Sequence, residues 1–176
     1  MSWKEHYKYG ALLLLPPADV STSVNALRAR YDPDSQKICP AHITLTQPLL
    51  EEPDENHIEK LKTLASEISG FAIEYGPIEK FGERCITFNI KQQKEIIDMR
   101  EYFHNTGYFN LSLPYTDGFV PHMTISERGI ENSEMVIPEL NISNPGGMFQ
   151  CTEIAYMVPN SEFKFEVKNV LSLRVS

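Results

Sequence analysis

The stretch Pro40-Ala41-His42-Ile43-Thr44-Leu45-Thr46 occurs a second time, in altered form, as Val120-Pro121-His122-Met123-Thr124-Ile125-Ser126. In both copies a proline stands shortly before a histidine, which is followed by an apolar residue, a threonine, an apolar residue and a hydroxyl side chain. The two histidines are 80 positions apart in a chain of 176 residues. A repeat at close to half the chain length predicts two related lobes, each built around one copy. We call residues 40–46 the first motif and residues 120–126 the second motif.

The spacing within each motif fits a β-strand. Side chains of a strand alternate between its two faces, so the histidine, the threonine and the last hydroxyl share one face while the apolar residues point into a core. If the two lobes face each other, His42, Thr44, His122 and Thr124 converge on one cleft. An imidazole can accept or donate a proton near neutral pH, and a threonine hydroxyl can donate a hydrogen bond to a phosphate oxygen. The set therefore suits phosphoryl transfer without a metal.

The rest of the chain alternates helical and extended patterns. Helical periodicity covers residues 19–31, behind Asp19 or Ser21 as the N-cap, residues 54–69 behind Asp54, and residues 92–106 before Gly107. Strand patterns cover Tyr9–Leu15, Ile86–Ile90, Phe163–Lys168, 148–158 and 170–175. This order predicts an α+β domain spanning residues 1–176.

Composition excludes several classes of protein. A net charge of −8, from 16 Lys and Arg against 24 Asp and Glu, argues against a protein that grips long duplex nucleic acid, although a small phosphate site remains compatible with it. The longest apolar run is Ala11–Leu15, far too short for a membrane span, and the first residues do not resemble a signal peptide. Three cysteines without a C-x-x-C pair indicate a reducing cytoplasm.

The paired His-x-Thr motifs resemble those of the two-histidine (2H) phosphoesterase superfamily, and most closely its 2′-5′ RNA ligase-like and cyclic phosphodiesterase branch. The resemblance implies a bilobal, pseudo-twofold fold in which two antiparallel sheets line a central cleft with helices outside. It also implies hydrolysis of 2′,3′-cyclic phosphates of nucleotides or RNA ends, typically to 2′-phosphates, without a metal or cofactor. We expect a monomer whose partner is a nucleotide or RNA terminus that carries a cyclic phosphate.

The resemblance also assigns roles at the matching positions. His42 and His122 are the expected acid and base, in either order, and Thr44 and Thr124 the expected phosphate-binding hydroxyls. By strand alternation, Thr46 and Ser126 are further candidates for substrate binding. Arg128 lies two residues after Ser126 and would point to the same face by alternation. It is a candidate cation for the phosphate, or else a solvated loop residue.

Alternatives remain for the function and for single residues. The chain is a 2′-5′ RNA ligase if it holds two polynucleotide ends, or a non-enzymatic RNA-end-binding module if the histidines only bind. The other histidines, His6, His57 and His104, have no repeated context and are expected to be structural or on the surface. Cys39 is expected to be a bystander thiol, because its odd offset from His42 turns it to the opposite face of a straight strand. Aromatic candidates for base stacking are Tyr9, Phe88, Tyr115, Phe119 and Tyr156.

Overall fold

Eight strands form one continuous sheet in a computed structural model that describes residues 3–175. All strand pairs within this sheet are antiparallel. The elements in chain order are α1 (Trp3–His6), β1 (Ala11–Leu14), α2 (Ala18–Tyr31), α3 (Pro33–Ile38), β2 (Ile43–Thr44), α4 (Glu55–Glu67), β3 (Phe71–Phe81), β4 (Cys85–Ile90), α5 (Gln93–His104), β5 (His122–Ser126), α6 (Ser133–Ser143), β6 (Gly147–Cys151), β7 (Glu153–Pro159) and β8 (Phe165–Ser172).

The order of strands across the sheet reflects the repeat of the two motifs in the sequence. It runs β6-β3-β4-β5-β2-β1-β7-β8, so that four strands lie on each side of the boundary between β5 and β2. The strand of the second motif, β5, and the strand of the first, β2, are therefore neighbours at the centre. The α+β class is confirmed. The two antiparallel halves are joined edge to edge, because Ile43 of β2 pairs with Met123 of β5.

The two faces of the sheet have different coverings. On the core face, apolar strand residues pack with the buried residues of α2, α4, α5 and α6 in one large cluster. The opposite face, which we call the site face, carries a smaller cluster around Ala11, Leu13 and Met157. Strand β1 is buried on both faces, with Leu12 and Leu14 in the large cluster. This double burial is why its sequence is an uninterrupted apolar run.

The three predicted long helices are confirmed as α2, α4 and α5. The N-cap prediction for α4 is confirmed, because Asp54 accepts a hydrogen bond from the His57 backbone N–H. The N-cap prediction for α2 is wrong, because α2 begins after Pro17 without a side-chain cap. The predicted strand at 148–158 is two strands, β6 and β7, which pair with β3 and with β1 and β8 in opposite halves of the sheet. The sequence patterns missed α1, α3 and α6, and they gave no bounds for β3. No helix within residues 3–175 is long and apolar enough to cross a membrane.

Candidate active site

The central strand pair brings the two motifs together in register. Ile43 lies opposite Met123, and both are fully buried on the core face. One residue further in each direction, the antiparallel register places His42 opposite Thr124 and Thr44 opposite His122. All four side chains are half-buried on the site face, where each histidine is a cross-strand neighbour of the other motif's threonine. The convergence expected from the repeat is thus built by direct strand pairing.

The two histidine rings are held in the same way. His42 Nδ1 lies 2.7 Å from the carbonyl oxygen of Pro40, and His122 Nδ1 lies 2.7 Å from that of Val120. Because a carbonyl oxygen can only accept, each Nδ1 carries a proton and donates it to this bond. The lone pair of each neutral ring is therefore on Nε2. Each ring can accept a proton at Nε2 as a base, or donate one from Nε2 once it is protonated.

The threonine hydroxyls are uncommitted. Within residues 3–175, neither Thr44 Oγ1 nor Thr124 Oγ1 makes a hydrogen bond to another protein group. The two hydroxyls and the two imidazoles are therefore the polar side-chain groups that the central strands turn toward an incoming ligand. Two hydroxyl donors between two imidazoles suit an anion with several acceptor oxygens.

The two histidines differ in their electrostatic surroundings. The pKa of His42 is lowered to about 4, chiefly by burial, and the Arg28 cation and His122 add to this decrease. The pKa of His122 is also lowered by burial, but the carboxylate of Glu127 acts in the opposite direction. His122 in addition stacks on Phe81, with ring centroids 4.6 Å apart and an interplanar angle of 23°. The site therefore favours a neutral His42 more strongly than a neutral His122.

Two buried arginines brace the motif strands, one from each half. Arg28 on α2 donates to the carbonyl oxygens of Thr124 (2.8 Å) and Cys39 (3.0 Å). Arg100 on α5 donates to those of Leu45 (2.7 Å) and Tyr115 (3.1 Å). Each arginine thus ties the segment that leads into one motif to the strand of the other. Sequence reasoning missed both, because a single arginine in an amphipathic helix has no distinguishing pattern.

Thr46 and Ser126 do not lie on the open face, which corrects the expectation that they bind substrate. Both are fully buried. Thr46 Oγ1 accepts from the Leu12 backbone N–H (3.0 Å), and Ser126 Oγ donates to the Gly129 carbonyl oxygen (2.8 Å). The physical reason is a β-bulge after each motif threonine.

The bulge is visible in the hydrogen bonds and in the register. After Thr44, the backbone N–H groups of Leu45 and Thr46 both donate to the Leu12 carbonyl oxygen. After Thr124, the pairing with β4 shifts by one residue, from Thr87 opposite Thr124 to Ile86 opposite Ser126. An extra residue in one strand breaks the two-residue alternation, so the third hydroxyl turns inward.

The remaining polar candidates have structural partners. Arg128 is exposed and forms an ion pair with Asp34 at 3.0 Å, which is the solvated-loop alternative. Cys39 lines the same cavity as His42, which corrects the expected opposite facing, but it is buried, and burial raises the pKa of its thiol to about 12, which favours the neutral thiol. His57 completes the cap of α4, and buried His104 accepts from the Gln47 backbone N–H at Nε2 (3.0 Å). Both are structural, as expected, and His6 is at the end of α1.

A cavity of about 420 Å³ opens beside the first motif. His42 and Thr44 form part of its wall, β1 supplies Ala11 and Leu13, and an aromatic side is formed by Trp3, Tyr7 and Phe165, with the remaining wall from Arg28, Ser35, Ile38, Cys39 and Glu127. None of these aromatics was a stacking candidate from sequence. Trp3 and Tyr7 belong to the α1 region, and only the curvature of the fold brings that region to Phe165 of β8, 158 positions after Tyr7.

The aromatic candidates that were predicted lie elsewhere. Phe88 and Tyr156 are in the core, Tyr9 packs against it, and Tyr115 is exposed on a loop. Phe119 lies near His122, with ring centroids 6.0 Å apart, and carries the Arg100 guanidinium on its face. Within residues 3–175, no group of three or more His, Cys, Asp or Glu side chains is arranged to hold a metal ion.

Solved structures with the same fold confirm the architecture. The chain superimposes on the Escherichia coli protein LigT complexed with 3′-AMP with a TM-score of 0.60 at 16% identity, covering 94% of this chain and 98% of that one. For LigT complexed with NADP+ the TM-score is 0.58 at 16% identity, with 96% and 99% covered. For the protein TT0787 of Thermus thermophilus it is 0.61 at 16% identity, with 94% and 98% covered. At such identities the likeness establishes the fold.

Sequence relatives and a family model establish the family. A Bacillus cereus (strain AH820) protein named "Putative phosphoesterase" is 32% identical over 127 residues, which are 70% of this chain and 71% of that protein. A Bacillus anthracis (strain A0248) protein of the same name matches equally well over the same shares. The model of the 2′-5′ RNA ligase superfamily matches residues 16–162, a range that contains both motifs. With the fold, the paired motifs and these matches in agreement, the chain belongs to the 2′-5′ RNA ligase superfamily.

Proposed function

We propose that this protein is a metal-independent phosphodiesterase that hydrolyses the 2′,3′-cyclic phosphate of a nucleotide or RNA end. The observation that carries the proposal is the pairing of two imidazoles on adjacent central strands. Both have Nδ1 fixed as a donor to a backbone carbonyl oxygen, and each lies across from the hydroxyl of the other motif. A phosphate between them meets a base, an acid and two anion donors without any further group.

The electrostatic difference between the rings supports one assignment of their roles. His42, whose pKa is lowered to about 4, is neutral near pH 6 and accepts the proton of the attacking water at Nε2. His122, with Glu127 nearby and Phe81 stacked on it, is the ring better suited to carry a proton and donate it to the leaving ribose oxygen. Attack at phosphorus forms one P–O bond as the bond to the 3′ oxygen breaks. The product is the 2′-phosphate with a free 3′ hydroxyl.

The threonines act on the anion. As water attacks, negative charge increases on the two non-bridging oxygens of the phosphate, and preorganised donors stabilise that charge more in the transition state than in the ground state. In this proposal the uncommitted hydroxyls of Thr44 and Thr124 on the site face donate these two hydrogen bonds. The bracing by Arg28 and Arg100 fixes the backbone from which they project.

Ligation of 2′-5′ ends is the second candidate, favoured by the family to which the chain belongs. It requires a surface for two polynucleotide ends. The net charge of −8 and a site-side cavity of about 420 Å³ favour a single terminal nucleotide instead. We further propose a reducing compartment, because all three cysteines are unpaired. We propose a monomer, because a single chain supplies both motifs of the site.

The test is a product screen with the purified protein. Nucleoside 2′,3′-cyclic phosphates, ADP-ribose cyclic phosphate and short RNAs with cyclic phosphate ends are incubated with it, and products are identified by ³¹P NMR and chromatography. We expect 2′-phosphates, at the same rate with and without EDTA. Loss of turnover in EDTA with rescue by a divalent ion would transfer the chemistry to a metal. Joined oligonucleotides without hydrolysis would identify the ligase.

A further inference from the structure

We propose that the cavity beside His42 is a base-binding pocket that seats the nucleobase of the terminal nucleoside and prefers guanine. This assignment rests on the proposed phosphodiesterase function for the placement of the phosphate. The pocket itself is argued from its walls. A volume of about 420 Å³ lies in the range of small-molecule sites and fits one nucleoside.

The aromatic wall is preorganised. Trp3 and Tyr7 meet edge to face with centroids 6.0 Å apart, and Tyr7 and Phe165 do so at 6.2 Å. Phe163 supports Trp3 from behind at 5.4 Å. Each edge-to-face contact covers one face of one of its two rings, and a flat heteroaromatic ring can stack on a face that stays open. Trp3 remains 53% exposed, which is high for the largest apolar side chain and is explained if a ligand covers it.

The position of the pocket relates base to phosphate. Its wall includes His42 and Thr44, whereas among the described residues His122 and Thr124 do not line it. A nucleoside seated there has its ribose directed to the central strand pair, with the phosphate between the two motifs. The base then lies on the first-motif side, next to the histidine proposed as the base catalyst.

The polar lining selects the base edge. The guanidinium nitrogens Nη1 and Nη2 of Arg28 are committed to backbone carbonyl oxygens. Glu127 is the single carboxylate among the lining residues, and its side chain has no hydrogen bond or ion pair to any residue in 3–175. A carboxylate only accepts hydrogen bonds, and guanine presents two adjacent N–H donors on one edge. Adenine, cytosine and uracil place an acceptor beside each donor, so they pair less well with it.

Trp3 is the only tryptophan in the chain and therefore reports on this pocket directly. Its fluorescence is titrated with guanosine, adenosine, cytidine and uridine, with calorimetry as an independent measurement and ribose 5-phosphate as the base-free probe. We expect every nucleoside to quench Trp3, and guanosine to bind about tenfold more tightly than uridine, since a hydrogen bond to a charged group is worth about 1.5–3 kcal/mol. Equal affinity for guanosine and uridine would refute the guanine preference, and absence of binding by all four would refute the pocket.

Paired variants separate the two features. Phe165→Ala should weaken the binding of all four nucleosides by about tenfold, because a stacking surface is lost. Val167 is an exposed residue of the same strand, and Val167→Ala should leave nucleoside binding unchanged. Glu127→Gln should bring guanosine and uridine to within about twofold of each other, with Glu131→Gln in the same loop as the matched control. Unchanged nucleoside binding in Phe165→Ala, or an unchanged guanosine preference in Glu127→Gln, would contradict the assignment.

The outcome is distinguishable from that of the proposed function. Nucleoside binding at Trp3 without turnover of any cyclic phosphate would leave the pocket standing and reject the phosphodiesterase. Conversely, hydrolysis of 1-O-methylribose 2,3-cyclic phosphate with the same kcat/KM as guanosine 2′,3′-cyclic phosphate would keep the phosphodiesterase and reject the pocket.

Discussion

The half of the sheet that contains the first motif (β2, β1, β7 and β8) and the half that contains the second (β5, β4, β3 and β6) present the same reactive groups in different surroundings. Both histidines make a 2.7 Å contact from Nδ1 to the carbonyl oxygen two residues earlier. Residues 41–46 and 121–126 share one burial pattern, and a bulge follows each threonine. The two halves therefore present a histidine and a threonine in the same backbone geometry.

The surroundings are not duplicated. His42 is near the Arg28 cation and a cavity walled by aromatic residues. His122 instead stacks on Phe81, has Glu127 nearby, and lies across the strand pair from the half-buried amide of Asn89. Two copies of one motif can therefore take opposite roles in proton transfer, because the pKa of an imidazole depends on its neighbours as much as on its backbone position.

The largest expected effect comes from removing either imidazole. His42→Ala and His122→Ala should each lower kcat by roughly 10²–10⁴-fold, and the double variant should be little worse, since one transition state uses both groups. The measurement is kcat on a nucleoside 2′,3′-cyclic phosphate, with Tm as the folding control. Full activity in either single variant would show that the two halves do not work as a pair.

The threonines test whether the halves contribute equally to the anion. Thr44→Val and Thr124→Val should each reduce kcat by roughly 10²–10³-fold, with KM less affected, because the hydroxyls act on charge that develops in the transition state. Valine keeps the branched shape, so Tm should hold. The buried hydroxyl of Thr46 offers a contrast: Thr46→Val should lower Tm and leave kcat near the wild-type value, since that hydroxyl bonds Leu12. A loss confined to KM in the two motif variants would contradict the transition-state role.

Substitutions of the two bracing arginines test what lowers the pKa of His42. A base must be neutral, so kcat/KM should rise as pH increases through the His42 pKa of about 4. Arg28→Met removes a cation that lowers this pKa, so the acidic limb should move to higher pH. Arg28→Lys keeps the positive charge and should leave the acidic limb where it is. Arg100→Met is the matched control, since it also removes a buried arginine that braces a motif strand. An equal shift in Arg100→Met would mean that packing, and not charge, sets the limb.

The smallest effect concerns the alkaline limb. The acid must be protonated, so activity should fall as pH rises through the lowered pKa of His122, which puts the kcat/KM optimum below the ordinary histidine value of about 6.5. Glu127→Gln removes a carboxylate that raises this pKa, and the limb should move slightly to lower pH, because Glu127 is exposed and well screened. A shift of the acidic limb instead of the alkaline limb would reverse the proposed roles of the histidines.

The sequence by itself determined the repeat and what strand alternation makes of it. The spacing of His42 and Thr44, and of His122 and Thr124, required only a local strand to put each pair on one face. The helices α2, α4 and α5 followed from apolar periodicity, and β1 followed from the strand pattern at Tyr9–Leu15. These features depend on residues within one element, so their signal is complete in a short window.

Only the tertiary structure decided how distant segments meet. The bulges that turn Thr46 and Ser126 inward depend on pairing with β1 and β4, and no local pattern announces them. The different surroundings of the two histidines depend on Arg28 from α2 and on Phe81 from β3, and the cavity beside His42 joins α1 to β8. Such contacts bridge up to nearly the whole chain. They are set by the curvature and register of the sheet, which are collective properties of all eight strands, while alternation and periodicity are properties of one.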